Sequence, residues 1–255
     1  MKRSNWSIPY LIFLICFVVL PLLLVVLYAF QDGAGHFTLA NFAKFFRDSD
    51  AIATFGVSIE VAIENTLICI LLGYPAAWIL ANRKYNKSAV TIVLFILPMW
   101  INALMRTLAT AELFNVLGVG LGKGTLLYGM VYDYLPFMVY PIYNCLLKID
   151  NSYAEAAEDL GATPAQVFLK VTLPLSKPGI WSGVLMVFMP TVSTFAISEF
   201  LTNNKIKLFG TIIQENINTS MWNYGATLSL IMLVIIGVTT LLGGSDGAKT
   251  EGGVV

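Results

Sequence analysis

The sequence predicts an all-α, polytopic membrane protein with about six transmembrane helices. Of its 255 residues, 57% are hydrophobic and only 12% are charged. A soluble domain needs more charged residues than this on its water-facing surface. The apolar side chains must therefore face lipid. In addition, six apolar stretches reach the roughly 20 residues that a helix needs to cross a hydrocarbon core.

The six apolar stretches are spread along the chain and predict one transmembrane domain over residues 1–255. Their predicted bounds are 8–30, 57–80, 89–111, 126–147, 179–201 and 225–242. The first stretch is longer than the apolar core of a signal peptide, and no convincing small-residue cleavage site precedes Gln31. We therefore expect it to stay attached as a membrane anchor.

The distribution of lysine and arginine near the helix ends predicts orientation, because these residues resist transfer to the outside. With six spans, both termini and the second and fourth loops share one side. That side carries Lys2, Arg3, Arg83, Lys84, Lys87, Lys148, Lys170, Lys177 and Lys249. The other side carries fewer basic residues, namely Lys44, Arg47, Lys123, Lys205 and Lys207. We expect both termini to lie in the cytoplasm.

The longest loop on the cytoplasmic side, residues 148–178, is predicted to form two short helices joined by a glycine turn. Ser152 and Glu155 have the spacing of a capping box, in which each side chain bonds to the backbone amide of the other residue. The helix that begins there is predicted to end at Gly161, because glycine adopts the left-handed conformation of a helix end easily.

The second helix of this loop has its own predicted cap. Thr163 and Gln166 repeat the capping-box spacing, and Pro164 suits the first helical position. We predict that this helix runs to about Val171, before Leu173-Pro174. The side chains that it is expected to display are Val167, Phe168 and Val171.

Cap chemistry alone also fits an amphipathic hairpin that merely joins two spans. Helix-turn-helix binding of DNA is disfavoured, because Glu155, Glu158 and Asp159 place negative charge where phosphates would approach. The whole chain has 15 basic and 15 acidic residues, and this zero net charge gives no electrostatic support for nucleic acid as a partner.

The loop also contains a motif of defined spacing. It consists of Glu155-Ala156-Ala157, then Gly161, Val171 and Leu173-Pro174. This pattern resembles the EAA loop of the membrane subunits of bacterial binding-protein-dependent ABC importers. In that family an isoleucine stands where this chain has Val171, which is a difference of one methylene.

Three further segments look like the permease subunits of spermidine/putrescine importers. They are Gly73-Tyr74-Pro75 with Ala77-Trp78, then Pro98-Met99-Trp100 with Asn102 and Arg106, and finally Leu135-Pro136-Phe137-Met138 with Pro141. The resemblance covers about residues 37–242. The tail at 243–255 departs from it, because this tail is glycine-rich and nearly free of the basic residues with which such permeases tend to end.

The resemblance implies a type I ABC importer permease fold in the bacterial inner membrane. It also implies that the EAA loop forms a coupling helix on a separate ATPase subunit. The implied assembly holds two similar but distinct permease subunits, two ATPases and an external polyamine-binding protein. The chain is then a transport subunit and not an enzyme, and ATP and Mg²⁺ belong to the ATPase. The nearest sequence to a phosphate-binding loop, residues 118–125, has Gly124 where that motif needs serine or threonine.

Ionisable side chains within spans are costly to place in lipid and by default indicate a site or a pathway. The acidic ones lie toward the outer side and are Glu60, Glu64, Asp133 and Glu199. Arg106 is the only basic residue predicted to lie among them. This excess of negative charge suits a cationic substrate, and Trp100, Tyr132 and Tyr134 offer aromatic faces for cation–π contacts.

Structural interpretations of the same residues stay open. Glu60 and Glu112 lie where their side chains can reach the membrane interface, and Glu64 can pair with Arg106. Glu199 is the strongest single candidate for substrate binding, because it lies deep enough to need a partner. The chain has one histidine, and neither a catalytic constellation nor a metal site is predicted.

Two alternatives remain for the function. One is an ABC importer permease for another small solute, such as a metal complex or a phosphonate. The other is a secondary transporter or channel that needs no ATPase. This second alternative predicts inverted repeats, which the sequence does not show, and it gives no role to the EAA spacing.

Overall fold

The computed structural model describes residues 7–82, 86, 88 and 90–247, with side chains described from residue 9 to residue 240 of these ranges. Six of the basic residues that predict orientation lie outside the described residues: Lys2, Arg3, Arg83, Lys84, Lys87 and Lys249. Residues 248–255 of the atypical tail also lie outside them.

Helices make up most of the described chain. The first seven are α1 (Ser7–Leu14), α2 (Leu20–Ala29), α3 (Ala40–Arg47), α4 (Ser49–Ala81), α5 (Val90–Ile96), α6 (Ala103–Val116) and α7 (Lys123–Leu147). The remaining seven are α8 (Ser152–Asp159), α9 (Pro164–Val167), α10 (Leu173–Leu175), α11 (Lys177–Ser193), α12 (Ala196–Thr202), α13 (Phe209–Asn218) and α14 (Trp222–Gly247). Short connecting segments are π-helical at Ile15–Val19 and Phe168–Thr172 and 3₁₀-helical at Leu97–Trp100.

Three continuous helical stretches are long and apolar enough to cross a membrane: Pro9–Ala29, Ser49–Ala81 and Trp222–Thr240. Two bent helix pairs raise the number to five if each pair counts as one span. The predicted all-α membrane fold is therefore confirmed, with three to five candidate spans by length and composition. The fourth predicted span is the 25-residue helix α7, which is about 37 Å long. It is not counted among these candidate spans, and it packs against α4 and α11.

The third predicted span, at 89–111, is broken rather than continuous. The segments Val90–Trp100 and Ala103–Val116 meet at an angle of 88°. Two residues explain the break. Pro98 lies in the 3₁₀ turn and has no amide hydrogen to continue the helix, and Asn102 starts a new helix by accepting a hydrogen bond from the Leu104 amide at 2.9 Å.

The fifth predicted span, at 179–201, is also divided. Helix α11 ends at Ser193, Thr194 has an extended backbone, and α12 begins at Ala196. The Thr194 amide donates to the Pro190 carbonyl at 2.9 Å, which closes the last turn of α11. Glu199 therefore lies on a separate short helix and not on the span itself.

The centre of the fold is the packing of α4, α7 and α11 around Met138. This side chain is fully buried between two glycines, Gly73 of α4 and Gly183 of α11. A Cβ atom would lie 2.9 Å from Met138 Cγ at Gly73 and 2.6 Å from Met138 Sδ at Gly183. Small residues let membrane helices approach closely, and this approach fixes the three helices against one another.

Both π-helical segments precede a proline by the same spacing. The Leu20 amide donates to the Ile15 carbonyl just before Pro21, and the Leu173 amide donates to the Phe168 carbonyl just before Pro174. A proline ring clashes with the carbonyl four residues earlier in an α-helix. The wider π turn accommodates each proline without ending the helix.

Candidate functional site

The EAA hairpin, defined here as residues 148–178, folds as two short helices around Gly161. The Gly161 backbone is left-handed, with φ of 85°. The Gly161 amide donates to the Glu158 carbonyl at 2.8 Å, and the Ala162 amide donates to the Ala157 carbonyl at 3.0 Å. This pair of hydrogen bonds is a Schellman motif, so the predicted glycine stop of the first helix is confirmed.

Of the two predicted capping boxes in the hairpin, the first is wrong. Ser152 lies inside α8, and its amide donates to Asp150 Oδ1 at 2.9 Å. The competing acceptor two residues earlier explains the difference, since an aspartate bonds the backbone locally in the same way. This hydrogen bond from the Ser152 backbone lowers the pKa of Asp150.

The second predicted capping box is confirmed. The Thr163 amide donates to Gln166 Oε1 at 2.9 Å, and the Gln166 amide donates to Thr163 Oγ1 at 3.4 Å. The helix that follows does not end near Val171, however. It continues through the π segment Phe168–Thr172 into Leu173–Leu175, because the π turn accommodates Pro174.

The prediction that the second helix displays Val167, Phe168 and Val171 is also wrong. Val167 is buried, and Phe168 packs edge-on against Tyr74 and Trp78 of α4, with ring centroids 5.7 and 6.2 Å apart. This face of the hairpin covers the end of the helix bundle and does not project away from it.

The outer surface of the hairpin carries different side chains. Leu160 is 89% exposed and Leu169 is 59% exposed. Among the motif residues, Glu155, Ala156, Gly161 and Pro174 are exposed, while Ala157, Val171 and Leu173 are half-buried. An open cavity of about 500 Å³ separates α8 from the ends of α4 and α7. The exposed apolar side chains and the acidic start of α8 thus form the accessible side of the hairpin.

Arg106 and Asp133 form a buried ion pair between α6 and α7. Arg106 Nη2 lies 3.0 Å from Asp133 Oδ1, and the two side chains are only 5% and 3% exposed. The Thr107 hydroxyl donates to Asp133 Oδ2 at 3.3 Å. The Tyr132 ring lies 5.5 Å from the guanidinium carbon of Arg106. The alternative that Arg106 pairs with Glu64 is therefore wrong.

Glu60 and Glu64 share a different cation. Lys123 Nζ, at the start of α7, lies 2.7 Å from Glu60 Oε1 and 2.8 Å from Glu64 Oε1. Glu64 Oε2 is buried without a partner in the part of the chain that the structure describes. The two carboxylates are one turn apart on α4, so a single lysine reaches both.

Glu199 and Trp100 lie outside both charged groups. Glu199 is half-buried in the first turn of α12, and none of the described residues bonds to its carboxylate. Trp100 is 85% exposed at the bend between α5 and α6, so its predicted place in the middle of a span is wrong. Glu112 is exposed and Tyr134 is half-buried.

The structure thus sorts the predicted pathway residues into paired and unpaired groups. These residues include four carboxylates, and their cationic partners are only Arg106 and Lys123. Two net negative charges therefore remain. Sequence reasoning missed Lys123, which it counted as an external loop residue only. The sequence offered one indication of its role. Lys123 lies just before the fourth predicted span, at the same membrane depth as the outer half of the second predicted span.

The fold and the hairpin together define an all-helical membrane subunit with a helical projection at one end of the bundle. The sequence profile of the family described as "Binding-protein-dependent transport system inner membrane component" matches residues 66–244. The chain belongs to this family, and it is the permease subunit of an ABC importer. It is therefore a multi-pass inner-membrane transport component rather than an enzyme, and no cofactor is expected in it.

Named relatives within the family are similar over nearly the whole chain. The spermidine/putrescine transport system permease protein PotB of Escherichia coli (strain K12) is 32% identical over 253 residues, which cover 90% of this chain and 92% of that protein. The PotB of Haemophilus influenzae (strain ATCC 51907 / DSM 11121 / KW20 / Rd) is 31% identical over 247 residues, which cover 88% of this chain and 86% of that protein.

A solved structure shows the same fold. In the crystal structure of a bacterial ABC transporter involved in the import of the acidic polysaccharide alginate, one chain superposes with a TM-score of 0.69 at 15% identity. The superposition covers 97% of this chain and 96% of that chain. The type I importer permease fold is thereby confirmed.

Proposed function

We propose that this chain is a permease subunit of a polyamine importer, which takes up spermidine or putrescine. The observation that carries the proposal is the similarity to spermidine/putrescine permeases over nine-tenths of the chain. The surplus of carboxylates over cations among the predicted pathway residues and their partners agrees with it, because ammonium groups are held by negative charge.

Within the proposed importer, the EAA hairpin is the contact with a separate ATPase subunit that binds ATP and Mg²⁺. The residues assigned to coupling are Glu155, Ala156, Ala157, Gly161, Val171, Leu173 and Pro174. The fixed turn at Gly161 supports this role, because it sets the angle between two short helices. The exposed Leu160 and Leu169 supply apolar surface for a partner. This role places the hairpin and both termini in the cytoplasm.

The rest of the proposed assembly follows from the family. A second, similar permease subunit completes the pore, a second ATPase completes the ATP-driven pair, and an external polyamine-binding protein delivers the substrate. Nothing in this proposal requires nucleic acid.

The proposed substrate pathway runs along the outer half of the bundle. The residues assigned to it are Glu199, Trp100, Asp133, Glu64, Glu60 and Tyr132. Glu199 has the leading role, because its carboxylate is unpaired among the described residues and half-buried. Asp133 is already neutralised by Arg106, so it contributes only where that pair opens.

Reconstitution tests the proposed function. The chain is co-expressed with its neighbouring transporter subunits, purified, and placed in liposomes with ATP inside and labelled spermidine, putrescine or a phosphonate outside. We expect ATPase subunits to co-purify and the polyamines to accumulate only with ATP. Uptake of the phosphonate alone would overturn the substrate assignment. Accumulation without any ATPase would favour a secondary transporter.

A further inference from the structure

A buried hydrogen bond joins the EAA hairpin to the second predicted span. The Tyr74 hydroxyl, on α4, lies 2.9 Å from the hydroxyl of Ser176, which is 102 positions further along the chain. Ser176 is fully buried and Tyr74 is 7% exposed. The Ser176 hydroxyl also donates to the Leu173 carbonyl at 2.9 Å. Because a serine has one hydroxyl proton, the Tyr74 hydroxyl is the donor to Ser176 Oγ.

Ser176 occupies the joint between the hairpin and α11. The segment Pro164–Leu175 of the hairpin meets the segment Lys177–Ser193 at 61°, and Ser176 is the one residue between them. Just beyond the joint, Gly179 is packed so closely that a Cβ atom there would lie 2.5 Å from Cys145 Cβ. The start of α11 is therefore packed closely against α7, and Ser176 is the residue at which the helix changes direction.

The ring of Tyr74 makes a second contact with the hairpin. Phe168 packs edge-on against it, with ring centroids 5.7 Å apart. One side chain of α4 thus contacts both the π segment of the hairpin and the joint itself. Tyr74 also belongs to the core cluster with Met138, around which α4, α7 and α11 pack. Direct contacts of Tyr74 therefore link the hairpin to the centre of the helix bundle.

We propose that Tyr74 and Ser176 are positioning residues that transmit movement of the EAA hairpin to α4 during the ATP-driven cycle. This inference rests on the proposed coupling role of the hairpin. Neither residue touches substrate or nucleotide in the proposal. Their hydrogen bond and the Phe168 contact make the hairpin and α4 move together rather than slide past each other.

The test uses the whole assembled transporter, in a variant without the three native cysteines. A fluorescent probe is attached at Leu117→Cys, an exposed position at the end of α6 and far from the hairpin in the sequence. The probe signal on addition of ATP reports movement of the bundle, and ATP hydrolysis is measured in parallel. The variants are Tyr74→Phe and Ser176→Ala.

Ser182→Ala is the matched control. Ser182 also lies on α11 and donates to a carbonyl one turn earlier, that of Pro178, at 2.9 Å, but it is exposed and does not contact Tyr74. We expect its probe response to equal that of the parent. Tyr74→Phe and Ser176→Ala are expected to lower the probe response per ATP hydrolysed about fivefold, which corresponds to the loss of one buried hydrogen bond. The double variant should be no worse than either single change.

The outcomes separate this inference from the proposed function. An unchanged response in Tyr74→Phe, with Glu155→Lys abolishing the response, would overturn the transmission role alone. If Glu155→Lys also left the response intact, or if no ATPase co-purified, both proposals would fail. If neither Tyr74→Phe nor Ser176→Ala assembled with the ATPase, the contact would be structural and the transmission role would be wrong.

Discussion

Arg106 Nη2 lies 3.0 Å from Asp133 Oδ1 in the interior of the bundle, and each side chain is less than one-tenth exposed. Nε and Nη1 of Arg106 have no hydrogen-bond partner among the described residues. The two charges are therefore buried away from water, and the hydrogen bonds that the guanidinium loses there are only partly replaced. Its members depend on each other, because either one alone would be a buried, uncompensated charge.

Removal of the arginine is the first prediction. Arg106→Met should lower the free energy of unfolding by about 3–5 kcal/mol, because Asp133 is left buried without its counter-charge. The double variant Arg106→Met with Asp133→Leu should recover much of that loss, since it removes both charges. Thermal unfolding of the purified protein in detergent measures the difference.

An exposed pair in the same chain provides the control. Lys207 Nζ lies 2.6 Å from Glu215 Oε1, and both side chains are about half exposed. Lys207→Met should change the free energy of unfolding by less than about 1 kcal/mol. Equal losses for Arg106→Met and Lys207→Met would show that burial of the Arg106 pair has no energetic importance.

The second prediction concerns the turn of the EAA hairpin. Gly161→Ala places a side chain in the left-handed region at a cost on the order of 1 kcal/mol and changes the direction of the second helix. We expect Gly161→Ala and Glu155→Lys to abolish ATP-driven uptake while the protein still inserts and the binding protein still docks. Uptake by proteoliposomes measures transport, membrane fractionation measures insertion, and co-sedimentation with the binding protein measures docking.

Gly120→Ala is the matched control for the turn. Gly120 lies in the connection before α7, without a left-handed backbone, and a Cβ atom there meets no other atom within 4 Å. Its uptake should equal that of the parent protein. Normal uptake by both hairpin variants would contradict the coupling role of the hairpin.

The third prediction concerns topology. Leu160 is 89% exposed at the tip of the hairpin, and Val116 is 76% exposed at the far end of α6. In a variant without the three native cysteines, Leu160→Cys should resist a membrane-impermeant thiol reagent in whole cells and react after permeabilisation. Val116→Cys should react in whole cells. Labelling of Leu160→Cys from outside would invert the orientation and remove the hairpin from the ATPase.

The sequence predicted those features of the hairpin that depend on neighbouring residues. Gly161 ends a helix and Thr163 bonds to Gln166 because these interactions span only a few positions. The same local logic failed at Ser152, where Asp150 provided a competing acceptor that the capping-box pattern ignores. The hydrogen bonds at a helix start thus depend on every acceptor within reach of the backbone amides, and not only on the two residues of a capping box.

Features that depend on contacts between helices could not be predicted. The pairing of Arg106 with Asp133, and of Lys123 with Glu60, is set by which helix faces meet, and neither residue type nor spacing along the chain determines that. The bend at Asn102 has a local cause instead, because Pro98 interrupts one helix and Asn102 caps the next. Hydropathy identifies an apolar stretch, but it does not indicate where a cap such as Asn102 restarts the helix in a new direction.

The fourth prediction concerns the charge of the substrate. Glu199 presents a half-buried carboxylate without a partner among the described residues, so a bound ammonium group would gain a hydrogen bond to a charged acceptor. Such bonds contribute about 1.5–3 kcal/mol. Glu199→Gln keeps the shape of the side chain and removes the charge, and polyamine uptake should therefore fall at least about tenfold. Initial rates of labelled spermidine uptake measure the effect.

The control for this last prediction is Glu112→Gln, because Glu112 is an exposed carboxylate on α6. Its uptake should stay close to that of the parent, while both variants assemble and dock the binding protein normally. This comparison separates a pathway charge from a surface charge, since each change removes one carboxylate from the same chain. Spermidine uptake by Glu199→Gln at the rate of Glu112→Gln would remove Glu199 from the pathway, and it would leave membership of the importer family untouched.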